Sequence, residues 1–259
     1  MKDLPLIVII NDDGHEAKGL ASLIEAAKGL GRILVVAPDG PRSGMSHAIT
    51  MTVPLRVKKL VEEENFTFYK TNGTPVDCVK LAERVLLKDE KIDLLISGIN
   101  HGSNSATSVL YSGTMAAAIE ASFANVPALG FSLLSFDPDA DFTYSIKVAR
   151  KIIKNVLKEG LPERVSLNIN IPYVDEKDCK GMKITRQAKG YWKEELVPYE
   201  DPHGGIYYWL TGSFVNLDNE EDTDEWALAN NYVSIQPVQD DMTAHQHINE
   251  LKKWEEEID

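Results

Sequence analysis

Leu6-Ile7-Val8-Ile9-Ile10, followed at once by Asn11-Asp12-Asp13-Gly14, is the stretch on which the fold turns. Four of the five apolar residues are β-branched, and the run is short, so it reads as a strand. Successive side chains of a strand point to opposite faces. A strand apolar on both faces must be covered on both, as in a parallel sheet flanked by helices. Working outward, the same signature returns at Arg32–Ala37 (RILVVA), Leu94–Ser97 (LLIS) and Ala128–Leu133 (ALGFSL). Between these runs the apolar residues fall at helical spacing: Leu20, Leu23, Ile24 and Ala27 in 17–29, and Val79, Leu81, Ala82, Val85 and Leu86 in Asp77–Leu87. Gly113–Ala124 is Ala-rich and helical, and 141–158 reads as a helix through Phe142, Ile146, Ala149, Ile152, Ile153 and Val156. Strands alternating with helices give an α/β fold, a parallel sheet covered on both faces. Ligands of such sheets sit beyond the carboxyl ends of the strands.

The chain has 259 residues, 43% hydrophobic and 26% charged, an ordinary globular composition that excludes disorder as the main state. At 28.8 kDa a compact monomer exposes about 11,000 Å². Forty acids against 27 Lys and Arg leave a net charge of −13, which argues against a nucleic-acid polymer or an anionic membrane as partner. No apolar run reaches the ~18 residues of a membrane span. Cys78 and Cys179 make no disulfide framework, and the N-terminal apolar stretch ends in acids instead of a cleavage site. A cytoplasmic location is expected.

The last third differs. Residues 182–215 hold Tyr191, Trp192, Tyr199, Tyr207, Tyr208 and Trp209 around a turn signal, Asp201–Gly205 (DPHGG), and read as a long hairpin. Tyr232–Ile235 reads as one more strand. Thr243–Ile258 reads as a helix with Ile248, Leu251, Trp254 and Ile258 on one side. The C-terminal β-hairpin and terminal helix are expected to serve oligomerisation. The organisation expected is a main sheet region at 1–180 and an arm at 181–259 within a single domain. The acidic runs Glu62–Glu64 and Glu220–Glu225 read as solvated loops.

Four segments follow predicted strands or open a helix. Adjacent carboxylates such as Asp12 and Asp13 repel unless a positive group sits between them, and a divalent cation is a common solution; taken alone, NDDG reads more simply as a turn with an Asx cap. Ala37–Ser46 (APDGPRSGMS) offers the hydroxyls of Ser43 and Ser46, and in Arg42 a charge for an anion or for the acids. Ser97–Asn104 (SGINHGSN) offers the amides of Asn100 and Asn104. Tyr111–Ala121 opens a helix at Ser112, Gly113 and Thr114, whose free N–H groups suit a phosphate. Together, Asp12, Asp13, Ser43 and Asn100 give an all-oxygen set that suits Mg²⁺, Mn²⁺ or Ca²⁺ better than zinc. A hard cation beside a phosphate cradle is the minimum for phosphoryl transfer to water. His15, His47 and His101 lie in or beside these loops as candidate proton donors. Asp77 and Cys78 read as structural, with Thr74-Pro75 starting a helix.

NDDG, APDGPRSGMS, GTPVDC, SGINHGSN and YSGTMAAA, in this order and spacing, resemble the stationary-phase survival protein (SurE) family of metal-dependent 5′-nucleotidases. SLNINIP (Ser166–Pro172), ITRQ (Ile184–Gln187) and YVSIQPVQDDMT (Tyr232–Thr243) extend the resemblance over nearly the whole chain. The resemblance implies a nucleoside 5′-monophosphate phosphohydrolase with one divalent cation per subunit, Mg²⁺ or Mn²⁺. It assigns Asp12, Asp13, Ser43 and Asn100 to the metal and Asn104 with Ser112, Gly113 and Thr114 to the phosphate, and makes the acid pair and phosphate contacts catalytic. It also implies a Rossmann-like three-layer parallel sheet, a homodimer or homotetramer built through C-terminal elements, and for some members activity on 3′-nucleotides or short polyphosphate. Ala106-Thr107-Ser108, where many members carry Gly then Asp, and His15-Glu16-Ala17-Lys18 depart from the family pattern and bear on substrate preference. A non-catalytic nucleotide-binding scaffold remains the alternative. A receiver-type phosphoacceptor would need an Asp and a Lys at strand ends that carry Asn100 and Ser132, and an aspartyl-phosphate enzyme would need Asp at Asn11. No GxxxxGK[ST] occurs.

Overall fold

The computed structural model describes residues 4–88 and 90–256. Six strands run parallel in the centre of the main sheet. They are β1 (Leu6–Ile10), β2 (Arg32–Pro38), β4 (Phe66–Thr71), β5 (Leu94–His101), β6 (Ala128–Leu133) and β7 (Val165–Ile171), in the spatial order β4-β2-β1-β5-β6-β7. Strand β3 (Val57–Glu63) adds antiparallel to β4 at one edge. At the other, β11 (Val233–Gln239) adds antiparallel to β7 and β8 (Met182–Ile184) parallel to β11. The sheet is thus parallel at its centre and mixed at its edges. The β3–β4 hairpin is not evident in the apolar pattern, because Lys58, Lys59, Glu62 and Glu63 occupy an edge strand that is mostly exposed. Glu62 and Glu63 therefore lie on a strand, which corrects the loop reading of that acidic run.

The two-residue period of β1 divides the core. Ile7 and Ile9 face one layer, with Leu20 and Leu23 of α1 (Lys18–Ala27) and Val148, Ile152 and Ile153 of α4 (Thr143–Glu159). Val8 and Ile10 face the other, with Cys78 and Val79 of α2 (Pro75–Leu81) and Met115, Ala117 and Ala118 of α3 (Gly113–Ser122). Each fully buried Leu, Ile or Val contributes about 1.5–3 kcal/mol. The Ala-rich run of α3 lets that helix lie close on β5 and β6. Thr74 and Asp77 form a reciprocal capping box behind Pro75, so Asp77 is structural, as its sequence context implies. Gly19 of α1 sits directly on β5: a Cβ there would lie 1.9 Å from the Ile99 carbonyl oxygen.

From β1 the chain crosses to β2 on one side; from β5 it crosses to β6 on the other. The loops after β1 and β5 therefore diverge and leave a crevice between them at the carboxyl edge.

The aromatic segment forms a separate antiparallel ribbon of β9 (Gly190–Glu200) and β10 (Ile206–Asn216), joined by the DPHGG turn. Tyr191, Trp192, Tyr199, Tyr207, Tyr208 and Trp209 are all exposed on it. The accessible surface of 14,800 Å² exceeds the ~11,000 Å² of a compact chain of this mass. Past β11 the chain does not form the continuous helix expected over Thr243–Ile258. It makes short 3₁₀ turns at His245–His247 and Lys252–Glu256 around one α turn, Ile248–Leu251. Ile248, Leu251 and Trp254 are exposed, so no packing sustains a longer helix; Ile258 lies outside the described residues. Among the described residues no helix is long and apolar enough to cross a membrane.

Candidate active site

Asp12 and Asp13 leave β1 straight into the crevice. Asp12 is only 4% exposed, and its Oδ1 accepts a 2.6 Å hydrogen bond from the Thr114 hydroxyl in the first turn of α3. Its backbone carbonyl accepts the Arg42 N–H at 2.7 Å, which ties the loop after β2 to the same point. A Cβ at Gly113 would lie 2.9 Å from Asp12 Cβ, so only a residue without a side chain lets α3 begin against this carboxylate. Asp13 is half-buried, and its Oδ2 accepts the His101 N–H at 3.3 Å from the end of β5. The adjacent Asn100 donates its Nδ2 hydrogens to the carbonyls of His101 (3.1 Å) and Gly102 (2.8 Å), and among the described residues its Oδ1 has no donor. Ser43 follows Arg42 on the exposed rim, and among the described residues its hydroxyl has no hydrogen-bond partner.

The electrostatics single out the acid pair. Burial and then the neighbouring Asp13 push the Asp12 carboxyl up to about 6, against the pull of the Thr114 hydrogen bond. Burial also raises Asp13, opposed by the His101 N–H. No Lys or Arg among the described residues offsets either charge. Arg42, expected to serve an anion or these acids, instead pairs with Asp39 at 2.8 Å and donates to the Asn72 carbonyl. Three further polar atoms on or just past the same two strands are buried without a partner: Asn11 Oδ1 after β1, Ser97 Oγ in the middle of β5 and His101 Nδ1 at its end. Among the described residues no three His, Cys, Asp or Glu side chains converge so as to hold a metal ion, so a cation here would need hydroxyl and amide oxygens beside the two carboxylates. A hard divalent cation fits this donor set.

The phosphate candidates are placed in two ways. Ser112 caps α3, its Oγ accepting the Met115 N–H at 3.0 Å, while Gly113 and Thr114 form the first turn beside Asp12. Asn104 is buried and held on three sides: its N–H donates to Asn170 Oδ1 (2.7 Å), its Nδ2 to Ser132 Oγ (2.8 Å), and its carbonyl accepts from Asn168 Nδ2 (2.8 Å). The histidines separate. His101 adjoins Asp13, with its ring edge-on to Phe142. His15 turns toward Lys70 at the end of β4, 3.4 Å away, and His47 pairs with Glu120 at 2.8 Å on the outer side of α3, away from the acids.

Sequence reading left two groups unnamed. Asn168 and Asn170 alternate with apolar residues on one face of a buried strand, a pattern that itself signals an interior polar seam. Asp224, counted above in a solvated acidic run, is fully buried at the start of α5 (Asp224–Ala229).

A family model described as "Survival protein SurE" matches residues 7–194. A protein named 5′-nucleotidase SurE from Flavobacterium psychrophilum is 52% identical over 252 residues, covering 97% of this chain and 98% of that one. Its namesake from Phocaeicola vulgatus is 48% identical over 258 residues, 99% of both chains. The crystal structure of the SurE protein from Aquifex aeolicus superposes with a TM-score of 0.83 at 40% identity, covering 97% of this chain and all of that one. With the acid pair, the capped helix start and the diverging strands set in one crevice, and likeness running the length of the chain, this protein belongs to the SurE family.

Proposed function

We propose that this chain hydrolyses nucleoside 5′-monophosphates to nucleoside and inorganic phosphate, in the cytoplasm, with one divalent cation, Mg²⁺ or Mn²⁺, held by Asp12, Asp13, Ser43 and Asn100. The observation that carries the reading is the adjacent acid pair, Asp12 buried and Asp13 half-buried, set against the start of α3 with no cationic side chain among the described residues to offset it. A bound cation supplies Lewis-acid polarisation of the phosphoryl group and acidifies water. The protein's own part is to fix and surround. Thr114 locks Asp12 in one rotamer, and the His101 N–H orients Asp13. The Gly113–Thr114 turn, and the second Nδ2 hydrogen of Asn104 whose first goes to Ser132, would supply donors to the negative charge that builds on the phosphoryl oxygens in the transition state. The names carried by the relatives support the 5′-monophosphate as substrate.

The test is phosphate release from AMP with added Mn²⁺ or Mg²⁺, run beside 3′-AMP, short polyphosphate and p-nitrophenyl phosphate. Release from AMP that requires the metal and vanishes in Asp12→Asn is expected. No release from any phosphomonoester would overturn the enzyme reading in favour of a binding scaffold; undiminished release under chelator would overturn the metal. The exposed aromatic ribbon within 181–259, with the surface excess, supports assembly into a homodimer or homotetramer, with 1–180 as the catalytic region. Light scattering of the eluted protein measures this directly, and a monomer at all concentrations would end it.

A further inference from the structure

Between Asn100 and the start of α3 runs the segment Ser103–Ala106, and a side chain 118 residues away holds its far end. Asp224, fully buried, accepts the N–H of Ala106 on Oδ2 at 2.8 Å and the N–H groups of Ala188 and Glu225 on Oδ1 at 2.9 and 2.8 Å. Its neighbour Glu225 accepts a hydrogen bond from the Ser105 hydroxyl, which is also bonded to Ser103. Ala106 has φ +47°, a left-handed conformation disfavoured for a residue with a Cβ, so its backbone needs an external hold. Ala188 lies just before the ribbon, whose root is clasped again where Arg186 grips Asp218 with both Nη atoms and Asp222 with Nε. On the ribbon itself, Trp192 Nε1 donates to Ser108 Oγ at 3.2 Å, in the 3₁₀ turn that leads to Ser112.

We propose that Asp224 is a positioning residue for the reaction: its carboxylate fixes the Asn104–Ala106 backbone, and so presents Asn104 and the start of α3 to the substrate phosphate, while joining that segment to the root of the ribbon. The proposal rests on the phosphate placement given above. Asparagine at 224 separates the two duties. Its oxygen can still accept from Ala188 and Glu225, but its NH₂ then faces the Ala106 N–H, donor against donor, and the segment loses its hold. Alanine releases both sides.

The experiment compares wild type, Asp224→Asn and Asp224→Ala as full-length protein by backbone hydrogen–deuterium exchange, thermal melting and steady-state kinetics with saturating Mn²⁺. In Asp224→Asn, exchange accelerates in 103–112 and not in 186–190; in Asp224→Ala it accelerates in both. For Asp224→Asn, kcat/KM falls roughly 10- to 100-fold, the scale for a reacting group misplaced by about 1 Å. The factor is the same for AMP and p-nitrophenyl phosphate, which share only the phosphate. Ser234→Ala, a fully buried hydroxyl bonded to Thr185 just past the end of β8, lowers the melting temperature and leaves kcat/KM unchanged. Wild-type kcat/KM in Asp224→Asn below its melting temperature, unchanged exchange over 103–112, or an equal kinetic loss in Ser234→Ala would overturn the proposal. A wild type inactive on both substrates would sink the functional reading instead, and the exchange pattern alone would then decide the clamp.

Discussion

Replacing Asp12 by Asn should make the metal-free protein more stable, and by an amount set by pH. The Asp12 carboxyl stands at about 6 in the folded chain against an ordinary value of 3.8, first because it is buried and second because Asp13 adjoins it. A raised folded-state value means that the native protein resists ionisation more than the unfolded chain does. Below about pH 4 the group is protonated in both states and costs nothing; as pH climbs through 6 the folded state loses stability. The shift of roughly two units corresponds to about 3 kcal/mol at pH 8, falling to about 1 kcal/mol at pH 4.5. Asparagine keeps an oxygen for the Thr114 hydroxyl, so the neutral variant escapes this cost without losing its hydrogen bond. The assay is urea unfolding of wild type and Asp12→Asn in chelator at pH 4.5 and 8. The variant should exceed wild type by about 3 kcal/mol at pH 8 and by about a third of that at pH 4.5. With Mn²⁺ at a hundred times its dissociation constant, wild type should recover about 2.7 kcal/mol and the variant almost none. A variant no more stable than wild type at pH 8, or an advantage equal at both pH values, would refute the account of the acid pair as an uncompensated charge.

Gly113→Ala should loosen the same site from the other side, since the new methyl lies 2.9 Å from Asp12 Cβ and 3.1 Å from Pro75 Cγ; Mn²⁺ affinity measured by titration should fall at least tenfold with the circular dichroism unchanged. Trp192→Ala with Tyr207→Ala should raise KM for nucleotides and leave p-nitrophenyl phosphate alone if the ribbon stacks a base, and an unchanged KM for every nucleotide would discard that role. Cys78 is fully buried, with its thiol pushed far up by burial, whereas Cys179 is half-buried; a thiol reagent should label the native protein at Cys179 alone, as peptide mass mapping would show.

Much of this was legible in the chain because the same physical demand repeats. Strands such as LIVII and ALGFSL had to be covered on both faces, which fixes helices on either side and a functional rim at one edge. The residues after β1 and β5 could be named in advance for that reason, and the structure brings Asp12, Asp13, Thr114 and the His101 end of β5 together. What escaped was stabilised by partners far away in sequence. Strand β3 carries charge on both faces and exists through pairing with β4. Asp224 looked like one acid among several because nothing local reveals that three backbone N–H groups surround it. Arg42 looked like a ligand for an anion until Asp39, three residues back, took its charge. The terminal helix failed for the opposite reason: an amphipathic pattern is no guarantee of a helix when its apolar side meets no surface in the same chain.

The seat of Gly19 on the Ile99 carbonyl has a consequence for how this crevice can change over generations. A single methyl there would wedge the first crossover away from the strand whose tip carries the carboxamide, parting the acid pair from the amide in one stroke. The spacing between acid pair and amide therefore hangs on one position without a side chain, and substitutions that spare the crevice must fall farther out, where no such keystone binds.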